Sequence, residues 1–226
     1  VEDVDNRIKA VEKSQGFEFT SEQKEAIKMA VENNILIISG KAGTGKTTIL
    51  KGIINVLKEG NDLSYSACAL SGKASQRISE STGLDSATIH RTLGFGRDEE
   101  GSGFTYHEKN PLSSDVVVLD EASMVNSQIF SSLISAIRTG SKFIILGDIE
   151  QLEPIGSGNV LKDMIESGSI PTAMLTIVHR QALKSGILST ANEIRDGKQF
   201  NEKDNHEDRV IGELKDLHFK PFEKAE

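Results

Sequence analysis

Residues 40–48 read Gly-Lys-Ala-Gly-Thr-Gly-Lys-Thr-Thr and carry the strongest chemical signal in the chain. The spacing fits the phosphate-binding pattern G-x-x-x-x-G-K-[ST]. Glycines let such a backbone curl so that several N–H groups point into one concavity, where a phosphate can be held. The lysine of this pattern neutralises the β- and γ-phosphates, and the hydroxyl after it is offered to Mg²⁺. We therefore predict a nucleotide phosphate site at Gly40, Ala42, Gly43, Thr44, Gly45, Lys46, Thr47 and Thr48.

The flanking sequence supports this site. The apolar run 34–39 has the length and branched residues of a buried strand. After the loop, apolar residues recur at helical spacing: Ile49, Leu50, Ile53, Ile54 and Leu57. The glycines thus lie between a strand and a helix N-terminus, where the helix dipole adds partial positive charge.

Two adjacent carboxylates follow another apolar strand, in the run 115–123. In open α/β sheets ligands bind at the carboxyl ends of the strands. We assign Asp120 to Mg²⁺ and Glu121 to the general base that activates the attacking water. A strand that ends in an acidic turn is common by itself, so the assignment depends on the phosphate loop upstream.

Two later strands end in polar residues that we expect at the same edge. Asp148 and Gln151 follow the run 142–147, and a glutamine there can orient water. His179 and Arg180 follow the last strong strand, Ala173–Val178, where an arginine can contact a γ-phosphate. A surface arginine is the simpler interpretation of Arg180 taken alone.

Gln23 has two interpretations of equal weight. Thr20 and Gln23 have the spacing of a capping box at a helix start. A glutamine amide also matches the donor–acceptor edge of adenine.

Basic and polar residues follow the second strand candidate, Leu63–Leu70. Lys73, Arg77 and Arg91 taken alone fit a solvated face, and Thr88 and His90 fit a capping turn. Metal-ligand partners at a useful spacing from His90 are missing, so we predict no metal there. The stretch 94–110 is Gly-rich, with four aromatic or imidazole side chains that could stack on bases or form a small core. The glycines of Gly101-Ser-Gly103 predict a small hairpin there.

Composition limits the function classes. The chain has 226 residues, a net charge of −8 and one cysteine, Cys68, in an apolar run. The acidic charge argues against a surface that binds nucleic acid everywhere but allows a local basic groove. A lone cysteine suits the cytoplasm and is more often a buried small hydrophobe than a reactive thiol. We expect no membrane span. The first residue is not Met, so we expect a piece of a longer protein.

Strands that alternate with helices predict an α/β fold, a parallel sheet with helices on both faces. The order of motifs resembles the superfamily 1 helicases, most closely the RecD-type branch of exonuclease subunits and conjugative relaxase helicases. The resemblance runs from about Phe19 to about Lys198. The motifs that carry it are Thr20-x-x-Gln23, the loop 40–48, Ser71-Gly-Lys-Ala, Thr88-Ile-His-Arg, Asn110-Pro-Leu, Asp120-Glu-Ala-Ser-Met, Gly147-Asp-x-x-Gln-Leu-x-Pro-Ile-Gly156 and Leu175-Thr-x-x-x-Arg180-Gln.

This resemblance implies a RecA-like P-loop ATPase domain that uses ATP and Mg²⁺ and moves 5′ to 3′ on single-stranded DNA. It implies that Gln23 binds adenine, that Gln151 and Arg180 contact the γ-phosphate, and that DNA contacts come from Ser71, Lys73, Thr88 and His90. It also implies exonuclease or relaxase components as partners. The implied domains are a helical lead-in (1–16), a RecA-like domain (17–200) with a pin-like insertion (94–110), and a polar loop with an edge strand (201–226).

The sequence departs from the family at three positions. Leu70 stands where the family usually has Pro, Ser71 where it has Thr, and Glu153 where it has Pro. The first two bear on the geometry of the DNA contact. A second motor domain has no counterpart in these residues. The alternative functions are a stand-alone P-loop ATPase switch without unwinding and, more weakly, a degenerate nucleic-acid-binding module.

Overall fold

Six parallel strands form the central sheet in a computed structural model that describes residues 2–59, 61–98, 101–178, 184–198 and 208–220. The chain divides into two compact units. The first contains Val1–Lys41 and Lys46–Thr176, and the second contains Ala42–Gly45 and Ile177–Glu226.

Strands and helices alternate through the first unit, as predicted. In chain order the elements are α1 (Glu2–Gln15), α2 (Ser21–Glu32), β1 (Ile35–Gly40), α3 (Lys46–Lys58), β2 (Tyr65–Ala69), α4 (Gly72–Thr82), β3 (Ser86–Thr88), α5 (Ile89–Thr92), β4 (Phe95–Asp98), β5 (Gly101–Phe104), β6 (Val116–Asp120), a 3-10 helix (Ala122–Met124), α6 (Ser127–Ala136), β7 (Lys142–Gly147), α7 (Val160–Glu166) and β8 (Thr172–Leu175).

The sheet order is β3-β2-β6-β7-β1-β8, and every pairing in it is parallel. The crossover through α3 therefore carries the chain from β1 past two positions that β7 and β6 later fill. This order places the carboxyl ends of β6, β7 and β1 side by side. The predicted RecA-like α/β fold is confirmed.

Both faces of the sheet are buried, which explains the continuous apolar runs of its strands. Successive side chains of a strand point to opposite faces. In β1, Leu36 and Ile38 belong to one core cluster with the residues of α1 to α4, and Ile37 belongs to the other with those of α5 to α7. Cys68 is fully buried and donates to the Val118 carbonyl, and burial raises the pKa of its thiol to about 12. The interpretation of Cys68 as a small buried hydrophobe is confirmed.

The insertion contains an antiparallel hairpin, β4 with β5, in which Phe95 pairs with Phe104 and Asp98 with Gly101. The predicted small hairpin is confirmed, with Gly101 and Gly103 in its second strand, β5. The rings of His90, Phe95 and Phe104 contact one another, with centroids 5.3 to 5.9 Å apart. These contacts form a small core of the insertion, although Phe95 keeps an exposed side.

The second unit contains α8 (Gly186–Arg195), β9 (Arg209–Ile211) and β10 (Leu217–Phe219). Leu214, Leu217 and Phe219 were predicted in an edge strand. Leu217 and Phe219 form a strand that pairs, among the described residues, with β9 in a separate antiparallel sheet, whereas Leu214 lies in the turn before it. The predicted polar loop spans residues 201–209. Residues 201–207 lie outside the described residues, and Arg209 belongs to β9 instead. Across the described helices, none is long and apolar enough to cross a membrane.

Candidate nucleotide site

The carboxyl ends of three neighbouring strands gather the polar residues that the sequence selected. β1 ends at Gly40, β6 at Asp120 and β7 at Gly147, and these strands are adjacent in the order β6-β7-β1. Each strand is buried along most of its length, and the polar residues selected from the sequence lie at this edge. The edge of the sheet therefore forms the site.

Lys46 begins helix α3 and is half-buried. Its ammonium donates to the carbonyl oxygen of Gly40 and, at 3.2 Å, to that of Lys41. Burial lowers the pKa of Lys46, while the carboxylates of Asp148 and Asp120 oppose that shift. The ammonium is thus held by two neutral carbonyls near two negative charges, and a phosphate oxygen would be a stronger acceptor than either carbonyl.

The loop before Lys46 requires glycine at two positions. Gly43 and Gly45 have φ values of 85° and 84°, which lie in the left-handed region that other residues rarely adopt. Helix α3 starts directly after Gly45 and runs for 13 residues. Its first turn carries Lys46 and the exposed Thr47. Positive helix dipole, lysine and hydroxyl therefore lie together at the helix start.

Asp120 and Glu121 differ in their surroundings. Burial raises the pKa of Asp120, opposed by the hydrogen bond from the Glu121 N–H and by the charges of Lys46 and Arg77. That N–H donates to Asp120 Oδ1 at 2.8 Å. Glu121 has φ 53° and ψ 37°, a left-handed conformation that costs a non-glycine residue free energy. Strain of this kind clusters at functional sites.

Ser123 and Gln151 connect the ends of β6 and β7. The Ser123 hydroxyl is buried and donates to Gln151 Oε1 at 3.3 Å. Asp148 is only 3% exposed and organises the next turn: its Oδ1 accepts from the Glu150 N–H and its carbonyl from the Gln151 N–H. The position of Gln151 is therefore fixed at both its backbone and its side chain.

Comparison with known protein families identifies the family of this chain. The family model of the AAA domain matches residues 18–213. The chain belongs to the AAA domain family.

Relatives of this AAA domain are much longer than the chain. The ATP-dependent RecD2 DNA helicase of Deinococcus radiodurans is 32% identical over 179 residues, which cover 79% of this chain and 24% of that protein. The RecD subunit of the RecBCD enzyme of Mycolicibacterium smegmatis is 34% identical over 199 residues, covering 78% of this chain and 35% of that protein. The chain thus spans between a quarter and about a third of these relatives.

Solved structures share the fold. The Pif1 helicase of Candida albicans superposes with a TM-score of 0.58 at 23% identity, over 81% of this chain and 45% of that one. Together with the RecD-type relatives, this confirms the resemblance to a RecD-type superfamily 1 motor domain. An AAA domain of this kind has a nucleotide-binding phosphate loop.

Gln23 of the AAA domain lies at the start of α2 in the predicted capping box. Its Oε1 accepts from the Thr20 N–H at 3.0 Å, and its own N–H donates to Thr20 Oγ1 at 3.2 Å. The cap is confirmed, and the adenine role stays a prediction.

The predicted DNA-contacting residues lie at the carboxyl ends of β2 and β3, which are neighbouring strands of the sheet. Ser71 and Lys73 come after β2, Thr88 is the last residue of β3, and His90 lies in α5. Ser71 caps α4 by accepting from the Ala74 N–H, and Thr88 caps α5 by accepting from the Arg91 N–H. Lys73 is exposed, and His90 packs on the insertion. The capping turn at Thr88 is confirmed, while the DNA contacts stay predictions.

Three further residues of the site had no predicted role. Ser123 holds Gln151, as described. Gly147 allows β7 to end against α7, because a Cβ there would lie 2.4 Å from a methyl of Leu161. Arg77, expected on a solvated face, lies 3.9 Å from the Glu121 carboxylate. Motif spacing could not predict the contact of Ser123 with Gln151 or that of Arg77 with Glu121, because the partners are 28 and 44 residues apart in the sequence.

Arg180, which was predicted to contact the γ-phosphate, lies outside the described residues.

Proposed function

We propose that this chain is the ATP-binding motor domain of a DNA helicase that couples ATP hydrolysis to 5′-to-3′ movement on single-stranded DNA. The observation that carries the proposal is the Lys46 ammonium at the start of α3, which donates to the Gly40 and Lys41 carbonyls at the sheet edge where β6 ends in Asp120 and Asp148 follows β7. This arrangement is suited to a nucleoside triphosphate with a bound divalent cation. The name of the RecD2 relative, an ATP-dependent DNA helicase, supports the DNA helicase activity.

The residues of the site fit Mg²⁺ as a nucleotide-bound ion. No cluster of three or more acidic, histidine or cysteine ligands occurs within the described ranges. Mg²⁺ commonly takes one or two protein ligands plus phosphate oxygens and waters, which differs from a complete protein cage. Thr47 and Asp120 would hold the ion, and its charge would favour the ionised form of the half-buried Asp120.

The chain's own residues would then divide the work of hydrolysis. The loop 40–48 and Lys46 hold the phosphates, with Gln23 on the adenine. Glu121 takes the proton from the water whose oxygen bonds to the γ-phosphorus, and the bond to the bridging oxygen breaks. Gln151 and Arg180 contact the γ-phosphate.

Ser71, Lys73, Thr88 and His90 would contact single-stranded DNA. These residues lie at the carboxyl ends of β2 and β3. Because β2 is paired directly with β6, which carries Asp120, their position next to the nucleotide site supports this role. An association with exonuclease or relaxase components and a cytoplasmic location belong to the same proposal. The alternative is an ATPase switch that hydrolyses ATP without unwinding.

Strand separation tests the proposal directly. The full-length protein, with Lys46→Ala as its control, is given a partial duplex that carries either a 5′ or a 3′ single-stranded tail. We expect ATP-dependent unwinding of the 5′-tailed substrate by the wild type alone. ATP hydrolysis without unwinding of either substrate would favour the switch.

A further inference from the structure

The first turn of α2 contains a carboxylate that contacts the end of β8. Glu22 Oε1 accepts the Thr176 hydroxyl at 2.5 Å, and Glu22 Oε2 accepts the Thr176 N–H at 2.8 Å. The two residues are 154 positions apart in the sequence. Hydrogen bonds to an ionised acceptor are shorter and roughly twice as strong as neutral ones. Two of them to one residue fix both the distance and the orientation between the start of α2 and the chain after β8.

Thr176 lies at the edge of the sheet that forms the nucleotide site. It directly follows β8, and the last residue of that strand, Leu175, pairs with Gly40 in β1. Gly40 is the first glycine of the phosphate-binding pattern, and its carbonyl oxygen accepts from the Lys46 ammonium. Glu22 therefore connects the start of α2 to the pair of strands from which the loop 40–48 begins.

Gln23 is held within α2 by a separate set of contacts. It is only 2% exposed, and its amide oxygen and backbone N–H form the capping box with Thr20. These contacts set the amide relative to the helix, not relative to the sheet. The adjacent Glu22 supplies a contact from the same helical turn to the sheet. Together the two sets of hydrogen bonds fix the Gln23 amide relative to the strands of the nucleotide site.

The other end of α2 is anchored at the opposite edge of the sheet. Lys142, the first residue of β7, donates to the carbonyl oxygens of Val31 and Asn33 at 2.9 Å each. At a rise of 1.5 Å per residue, this anchor lies about 15 Å along the helix from Glu22. The helix thus has one polar anchor beside the nucleotide site and one far from it, which allows the two to be compared.

We propose that Glu22 is a positioning residue for adenine recognition, which holds the Gln23 amide where it meets the base of a nucleotide whose phosphates lie in the loop 40–48. Base and phosphates belong to one molecule, so the groups that bind them must keep a set separation, which productive sites hold to about 0.5 Å. Glu22 acts through Gln23 and not by touching the nucleotide. This inference rests on the proposed nucleotide site and on the proposed adenine contact of Gln23.

A purely structural role of Glu22 predicts a different result. A carboxylate in the first turn of a helix stabilises that helix through its dipole, so a loss of stability would be expected from either role. The ratio of ATP to GTP affinity separates the two roles, because a smaller folded fraction lowers both affinities equally. Binding of Mg-tripolyphosphate, which has no base, reports the phosphate contacts alone.

Competition binding to the full-length protein measures these affinities in the wild type, Glu22→Ala, Glu22→Gln and Thr176→Val. Glu22→Ala should lower the ATP-to-GTP affinity ratio by at least about threefold, the effect of weakening one hydrogen bond, and should leave tripolyphosphate affinity unchanged. Glu22→Gln keeps an acceptor oxygen and Thr176→Val keeps the backbone donor, so both ratios should lie between those of Glu22→Ala and the wild type.

Lys142→Met is the matched control, because it releases the far end of the same helix. It should reduce the stability of the protein and leave the ATP-to-GTP ratio unchanged. A ratio that Lys142→Met lowers as much as Glu22→Ala would overturn the proposal, since any loosening of α2 would then suffice.

Gln23→Ala separates failure of this inference from failure of the nucleotide site. A ratio that falls in Gln23→Ala but is unchanged in Glu22→Ala and Thr176→Val would overturn the role of Glu22 and leave the nucleotide site in place. If Glu22→Ala does not fold, Thr176→Val decides, because it keeps the carboxylate in α2. A wild type without a preference for ATP, or an unchanged ratio in Gln23→Ala, would overturn the adenine contact and this inference with it, whereas Lys46→Ala still tests the nucleotide site.

Discussion

Lys46 is the residue on which nucleotide binding should depend most. Lys46→Ala removes the ammonium that would neutralise the phosphates near Asp120 and Asp148. Because hydrogen bonds to charged groups contribute about 1.5–3 kcal/mol, nucleotide affinity should fall by at least about tenfold. Isothermal titration calorimetry with Mg-ATP measures the change. Equal affinity of the wild type and the variant would show that the site is misassigned.

Protonation of Lys46 gives a second test at the same residue. Burial lowers its pKa in the free protein, whereas a bound phosphate favours the ammonium and raises it. At an alkaline pH between these two values, nucleotide binding should take up a proton. Calorimetry in two buffers with different ionisation enthalpies measures this uptake, which should be absent at neutral pH. A proton release in the alkaline range would contradict the account.

Glu121 combines a proposed chemical role with a strained backbone. Glu121→Gln keeps the shape and removes the proton acceptor, so turnover should fall by about 10²–10⁴-fold while nucleotide binding is retained. Glu121→Gly should lose turnover too, but its free energy of unfolding should stay close to or above that of the wild type, because relief of about 1 kcal/mol of left-handed strain offsets the added freedom of the unfolded chain.

These two variants are compared in the full-length protein by steady-state hydrolysis and chemical denaturation. Turnover of Glu121→Gln within about threefold of the wild type, far from the usual effect of losing a general base, would place that base elsewhere. A Glu121→Gly variant that is less stable by more than about 1 kcal/mol would contradict the strain argument.

At the scale of elements, the start of α2 separates the two roles of Gln23. Thr20→Ala removes one half of the capping box and leaves the Gln23 amide in place, whereas Gln23→Ala removes both the cap and the proposed adenine contact. Each should cost about 0.5–2 kcal/mol of stability. Only Gln23→Ala should reduce the preference for ATP over GTP in competition binding. An unchanged preference in both variants would leave Gln23 as a helix cap.

The elements also show what the sequence could predict. Strands buried on both faces read as continuous apolar runs, so β1, β2, β6 and β7 were predicted close to their observed positions, with polar residues at their carboxyl ends. The capping box at Thr20 and the helix after Gly45 depend on local spacing and were predicted for the same reason.

Features that depend on contacts between distant residues were not predicted. The hydrogen bond from Ser123 to Gln151 and the approach of Arg77 to Glu121 arise only when β6, β7 and α4 pack. The left-handed φ of Glu121 is also imposed by the packed turn, since glutamate itself disfavours that conformation. The strand Leu217–Phe219 was predicted without a partner, because an isolated strand pattern does not specify which strand it pairs with; in the structure it pairs with β9.

At the scale of the whole molecule, residues 1–226 alone should hydrolyse ATP poorly. In the intact protein we expect a further arginine from the remainder of the chain at the γ-phosphate, and one such contact can be worth about 10³–10⁵ in rate. The fragment should therefore be slower than the full-length protein by at least about two orders of magnitude. A fragment that matches the intact protein would mean that the site is complete within these residues.

A nucleotide site built on Lys46 should drive a DNA-dependent motor. Steady-state ATP hydrolysis by the full-length wild type and Lys46→Ala, each with and without saturating single-stranded DNA, tests this directly. We predict hydrolysis that DNA stimulates in the wild type and that Lys46→Ala abolishes under both conditions. Hydrolysis by the wild type that is the same with and without DNA, or that persists in Lys46→Ala, would contradict it.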